Sequence, residues 1–245
     1  DVNIIKGAVT GSVFGGGNAA GVSGVGVVNV TGGTIASGVY GGSNTSGIVG
    51  NTQVTLTNGT IGTDAAHANV HGGGYGKDTQ VSGDVTVNIN GGTIHGDVYG
   101  GSALGMVNTD TDDKTLVNLT GGIIHGDAYG GGLGDSETAA DVNGNVTVTL
   151  YGTAFVLATT TDDKGNSIPT SGRVFGCNNI NGSPKGTVLV KVFGTVSRDS
   201  EGNIIQKPEK GSGIYELEAV YGGGNLAAYN PTDPFADGPQ YSYVY

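Results

Sequence analysis

The chain has no Trp, one Met, one Cys and 6 Pro in 245 residues, and only 13% of it is charged. Each shortage excludes something. The lone Cys177 allows no intrachain disulfide, and the scarcity of both sulfur residues suits an exposed, oxidising location. With so little Pro, and with 50 Gly that cluster instead of recurring at every third position, a collagen-like triple helix is ruled out. Basic residues are also few: 10 Lys and Arg against 21 Asp and Glu leave a formal charge of −11, which opposes nucleic acid and anionic membranes as partners. No apolar run reaches the roughly 18 residues of a membrane span, so direct membrane insertion is not expected. Intrinsic disorder pairs low hydrophobicity with high charge, and the charge is missing here. The chain begins at Asp1 with no basic and apolar leader, and reads as a processed product or an excised segment.

What the chain has in abundance is Gly, about one residue in five. At roughly 1 kcal/mol per helical position relative to Ala, that content argues against a helical bundle and for an ordered β-protein. The glycines belong to a repeat. Val2 to Asn18 (VNIIKGAVTGSVFGGGN) aligns with Val28 to Asn44 (VNVTGGTIASGVYGGSN) after a shift of 26 residues. Further copies start at Val54, Val87, Val117, Val148 and Val190, giving seven units spaced by 26, 26, 33, 30, 31 and 42 residues. Extra length enters at two places only, after the T-I element and after the Gly-rich run, as loops do on a stacked coil.

Within a unit, V-x-[VIL] puts two apolar side chains on one face and Asn3, Asn29, Asn88, Asn118, Thr55, Thr149 or Lys191 on the other. A Gly pair turns the chain, a second apolar stretch follows, and a Gly-Gly-[Gly/Ser] run turns it again toward a weaker apolar spacer. Two strong strands and one weak one per 26 to 33 residues predict a right-handed parallel β-helix, a β-solenoid of about seven coils, over residues 1–225. A β-propeller blade needs about 40 residues, more than the shorter units hold. Asn18, Asn44, Asn179 and Asn225 recur after the Gly runs and read as a stacked turn ladder.

Candidate functional residues fall into four groups. If Val faces the core, its neighbour faces out, so Phe14, Tyr40, Tyr99, Tyr129, Phe175 and Tyr221, with His71 in the third unit, form an outward column. Such a column either stacks on itself or offers a platform to a sugar ring or a partner chain, with Tyr40, Tyr99, Tyr129 and Tyr221 as the contact candidates. Asp110, Asp112 and Asp113 crowd oxygen ligands into one loop and are the Ca²⁺ candidates, although the Gly and terminal Glu of an EF-hand loop are missing. No other cofactor is expected. Two sister elements, TIHGDVY around His95 and Asp97 and IIHGDAY around His125 and Asp127, place His above His and Asp above Asp, without a third distinctive ligand. The corner insertions at residues 162–168 and 199–205 carry Gly-Asn between acidic and apolar residues and predict two projecting β-hairpins.

Residues 226–245 leave the repeat and form an aromatic, Pro-rich tail. Its Tyr241, Tyr243 and Tyr245 alternate like a strand, which either folds back as a cap or joins the next subunit of a head-to-tail filament. A slice of a longer surface protein is the third option. Catalysis has little support: only Arg173 and Arg198 supply guanidinium groups, and no nucleophile elbow, zinc spacing or phosphate loop is present.

The recurring V-x-[VIL]-x-G-G-T-I…[VA]-[YF]-G-G-[GS] pattern of residues 2–225 resembles the Gly-rich repeats of large bacterial cell-surface, adhesin-like β-helix proteins. The resemblance implies export to the cell surface and a structural or adhesive role. Its partners would be further copies of itself or surface glycans. It carries over no individual site residue. The alternative is a carbohydrate-binding or carbohydrate-active β-helix protein.

Overall fold

The structure, a computed structural model, describes residues 1–194, 197–198, 204–206, 217–232 and 242–244. It is all-β, with no helix among the described residues. In the larger sheet, Val2–Ile4, Val22–Ile35, Ser46–Ile61, Val85–Ile94, Lys114–Ile124, Asn145–Tyr151, Val188–Gly194 and Ser242–Val244 lie side by side in chain order. A second sheet contains Ser12–Phe14, Gly38–Tyr40, Val70–His71, Val98–Tyr99, Ala128–Tyr129, Arg173–Phe175 and Ala219–Tyr221, again in chain order. Every pairing within these two sheets is parallel.

The pairing register follows the repeat. Val2 pairs with Val28, Val28 with Val54, Val54 with Val87, Val87 with Val117, Val117 with Val148, and Val148 with Val190. These are the starting residues of the seven units. In parallel strands a register held by identical residues stacks like on like, and the apolar members make the core. Val28, Val54, Val87, Val117, Val148 and Val190 are buried, as are Leu56, Ile89, Leu119 and Leu150 two positions on. The opposite face carries an amide ladder in which Asn29 donates to Asn3 at 3.0 Å and Asn118 donates to Asn88 at 2.9 Å. We expect Asn118→Ala to cost about 1 kcal/mol, the net worth of one such bond. Urea unfolding against the parent chain would check it, and an unchanged midpoint would reduce the ladder to decoration.

In units two, four and five a Gly pair after the first strand bends the chain without ending the strand. Val22–Ile35 and Lys114–Ile124 run straight through it, with register irregularities at the pair. The second Gly explains this: Gly33, Gly92 and Gly122 have φ of 82°, 79° and 80°, a left-handed kink after which the ladder resumes. The weaker spacer also pairs, with Val22, Val49, Val81, Val107 and Val142 linked from unit to unit.

The corner insertions form antiparallel pairs, as expected. Thr159–Thr161 pairs with Ser167–Pro169, and Asp162 Oδ1 accepts from the backbone N–H of Lys164 at 2.9 Å and of Asn166 at 2.7 Å to close the tip. Ser197–Arg198 pairs with Ile204–Gln206, and the tip between them lies outside the described residues. In the tail, Ser242–Val244 pairs in parallel with Val188–Val190 of the same chain. Tyr243 falls in that strand, whereas Tyr241 and Tyr245 lie outside the described residues.

Candidate functional site

The aromatic column forms in the predicted register, linking Phe14, Tyr40, His71, Tyr99, Tyr129, Phe175 and Tyr221 in order. Consecutive rings stack with centroids 4.5–5.0 Å apart and planes within 12° of parallel. Its predicted exposure is overturned. Tyr99 and Tyr129 are each 1% exposed and Tyr40 is buried, so none of the three offers a ring face to a glycan; only Tyr221, at the end of the column, is open at 45%. The rings do point away from the Val core, as alternation requires. What alternation cannot show is that the spacers return over them: Leu133 packs on the Tyr99, Tyr129 and Phe175 cluster, Tyr75 meets Tyr40 edge-on at 5.4 Å, and Asn179 Nδ2 donates to Tyr99 Oη at 2.8 Å. Burial pushes the Tyr40 hydroxyl up to about 12.

The acidic loop does not gather its carboxylates into a cation site. Asp113 Oδ2 accepts from the backbone N–H of Thr109 and of Asp110, both at 3.0 Å, and Asp110 Oδ1 accepts from Asp112 N–H at 3.1 Å. The side chains close their own turn, so ligand atoms of Asp110, Asp112 and Asp113 do not converge.

Polar groups do converge at the corner that follows the T-I element. There the backbone N–H of His95 bonds Ile61 O and that of His125 bonds Ile94 O, which sets the two imidazoles one rung apart with centroids 4.2 Å apart. Two residues on, a second column repeats one hydrogen bond. Asn69 Oδ1 accepts from Asp97 N–H, Asp97 Oδ1 from Asp127 N–H, and Asp127 Oδ1 from Arg173 N–H, each at 2.8 Å. The intervening Gly126 is needed for this approach, since a Cβ there would overlap Asp97 Oδ1 and Gly96 O. Arg173 closes the column with an ion pair, Nη2 to Asp127 Oδ2, at 2.6 Å. Burial raises the Asp97 carboxyl above the usual carboxylate range, and the N–H of Asp127 and the Tyr99 hydroxyl pull it partly back.

Sequence reasoning found the His pair and the Asp pair but missed Asp64. It sits in the corner insertion of the third unit, where Thr63 and Ala66 exchange backbone hydrogen bonds of 2.9 and 3.2 Å. That turn leans over the two following rungs. Asp64 Oδ1 lies 2.7 Å from His95 Nδ1 and 3.2 Å from His125 Nδ1. Among the described residues this is the one group of three His, Cys, Asp or Glu whose ligand atoms lie within 4.8 Å of one another. The hydrogen bond from His95 holds the Asp64 carboxyl low, while partial burial, and then the neighbouring His95, depress His125.

Beside the cluster is a cleft of about 400 Å³. Its floor is the corner of units four and five, with Gly96, Asp97, His125 and Gly126; His67 and Asn69 wall one side, and Ala158, Thr170 and Ser171 at the base of the unit-six hairpin wall the other. The two insertions thus flank the two units that have none at this corner. No family model matches the chain, and no curated protein or solved structure matches it.

Proposed function

We propose that the parallel sheets are the walls of a right-handed β-solenoid, and that the chain is a non-catalytic structural or adhesive element of a bacterial cell surface. It would serve as a filament protomer or as the stalk of an adhesin. The observation that carries this reading is the continuous pairing from Val2 to Val190 and from Phe14 to Tyr221, in which an apolar column and an aromatic stack run through successive units. Such a molecule resists bending because every rung repeats the same contacts with its neighbours.

Electron microscopy in negative stain, with light scattering, tests the reading. Seven rungs at about 4.8 Å predict a rod roughly 34 Å long, isolated or repeated along a fibre. Particles with no long axis would overturn it. The pairing of Ser242–Val244 with Val188–Val190 supports a tail that covers its own chain's edge. Deleting residues 236–245 is then expected to increase end-to-end association; a loss of association would make the tail the joining strand instead. The cleft at the His and Asp corner favours one second reading, recognition of a small glycan, which a glycan array addresses. Turnover of a polysaccharide would refute the non-catalytic assignment.

A further inference from the structure

We propose that Asp64, His95 and His125 bind one divalent first-row transition-metal ion, with Zn²⁺ as the reference cation, through the two Nδ1 atoms and one carboxylate oxygen. The argument begins with donor type. Two imidazole nitrogens and a carboxylate suit Zn²⁺, Cu²⁺ and Ni²⁺, whereas Ca²⁺ and Mg²⁺ require more oxygen ligands than this corner supplies. Geometry agrees. Bonds of about 2.0–2.1 Å at tetrahedral angles put neighbouring ligand atoms roughly 3.3 Å apart. The separations from Asp64 Oδ1 are 2.7 Å to His95 Nδ1 and 3.2 Å to His125 Nδ1. A small opening of the Asp64 side chain makes room for an ion.

Access and rigidity are divided suitably. Asp64 is exposed and free to adjust, while the two imidazoles are partly buried and fixed by backbone bonds one rung apart. Three protein ligands leave a fourth position to water or to a group from the adjoining cleft, which His125 also lines. In the metal-free arrangement the carboxylate accepts N–H hydrogens from the imidazoles. Binding shifts each neutral imidazole to its other tautomer: the proton moves from Nδ1 to Nε2 by exchange with solvent, and the freed Nδ1 lone pair takes the ion. The bound ion would tie the corner insertion of unit three to units four and five, bracing the stack across three rungs.

The full chain contains four His, which makes the test direct. Titrating it with ZnCl₂ at about pH 7.5, where unshifted imidazoles are neutral, should give saturable one-to-one binding by calorimetry. In a ¹H–¹⁵N spectrum of the imidazoles, His95 and His125 should shift with coordination at Nδ1, and the buried His71 should not. The variant H95A/H125A is expected to lose more than about 100-fold in affinity, beyond the range for losing an outer-shell partner. Its circular dichroism should match that of the parent, since both side chains lie at a corner outside the apolar core. Absence of saturable binding in the parent chain would overturn the proposal. So would undiminished affinity in H95A/H125A, or shifts confined to His67 and His71.

Discussion

Tyr129→Ala should cost about 3–5 kcal/mol, the range for removing a large aromatic ring from a packed interior. Tyr129 is 1% exposed and lies 4.9 Å from Tyr99 and 4.8 Å from Phe175, both nearly parallel. Deletion therefore opens a cavity in mid-column and removes two ring contacts, each worth about 0.5–1.5 kcal/mol beyond area burial. Tyr129→Phe should cost under about 1 kcal/mol, because the hydroxyl makes only a long 3.3 Å bond to Asp127 Oδ2 and the column already accepts Phe at positions 14 and 175. Tyr221→Ala, at the open end with a single stacked neighbour, should cost only about 1–2 kcal/mol. Urea unfolding of the three variants checks the ordering. If Tyr129→Ala and Tyr221→Ala cost the same, the column is not the second core that its burial implies.

That column also marks how far the sequence could be read. The periodicity of V-x-[VIL] and of the VYGG element predicts which residues meet, because parallel strands pair like with like, and the pairing from Val2 to Val190 and from Phe14 to Tyr221 follows it. Alternation also predicts the direction of each side chain relative to its own strand. Whether another segment lies over that side chain is a different matter. The residues that cover the rings, Tyr75, Leu133 and Asn179, share one repeat position, four places after a column ring, but that position holds Asn, Tyr, Ala or Leu in different units, so the repeat does not predict the cover. Asp64 escaped notice for a different reason: the insertion that carries it has no counterpart in another unit, so nothing in the repeat aligns it with His95 and His125. The acidic loop failed in the opposite direction. Three carboxylates close in sequence suggest a cation, but short Asp side chains bond neighbouring backbone N–H groups just as readily.

His71→Phe should abolish an acid sensitivity on the order of 4 kcal/mol. His71 stands where the other units have Tyr or Phe, 5.0 Å from the Tyr40 ring and 4.5 Å from the Tyr99 ring, and it is 1% exposed. Burial is the main cause that depresses its pKa to about 3, and a backbone hydrogen bond at Gly101 offsets a little of that. In the unfolded chain the same imidazole protonates near 6.5. The unfolded state therefore binds more protons between those two values, and stability falls as pH drops from about 6.5 to about 3, at up to roughly 1.4 kcal/mol per pH unit. Above about 6.5 the imidazole is neutral in both states and this contribution vanishes. Phe carries no proton, so the difference in unfolding free energy between variant and parent should grow steadily across that window, whatever the carboxylates common to both chains do. At neutral pH the two chains should differ little, because Phe removes the buried Nδ1 that lacks a hydrogen-bond partner but also loses the imidazole's hydrogen bond at Gly101. Urea unfolding of both chains at several pH values gives the curve directly. A difference that stays flat with pH would mean that the imidazole reaches solvent when protonated, and that the third rung of the stack opens at little cost.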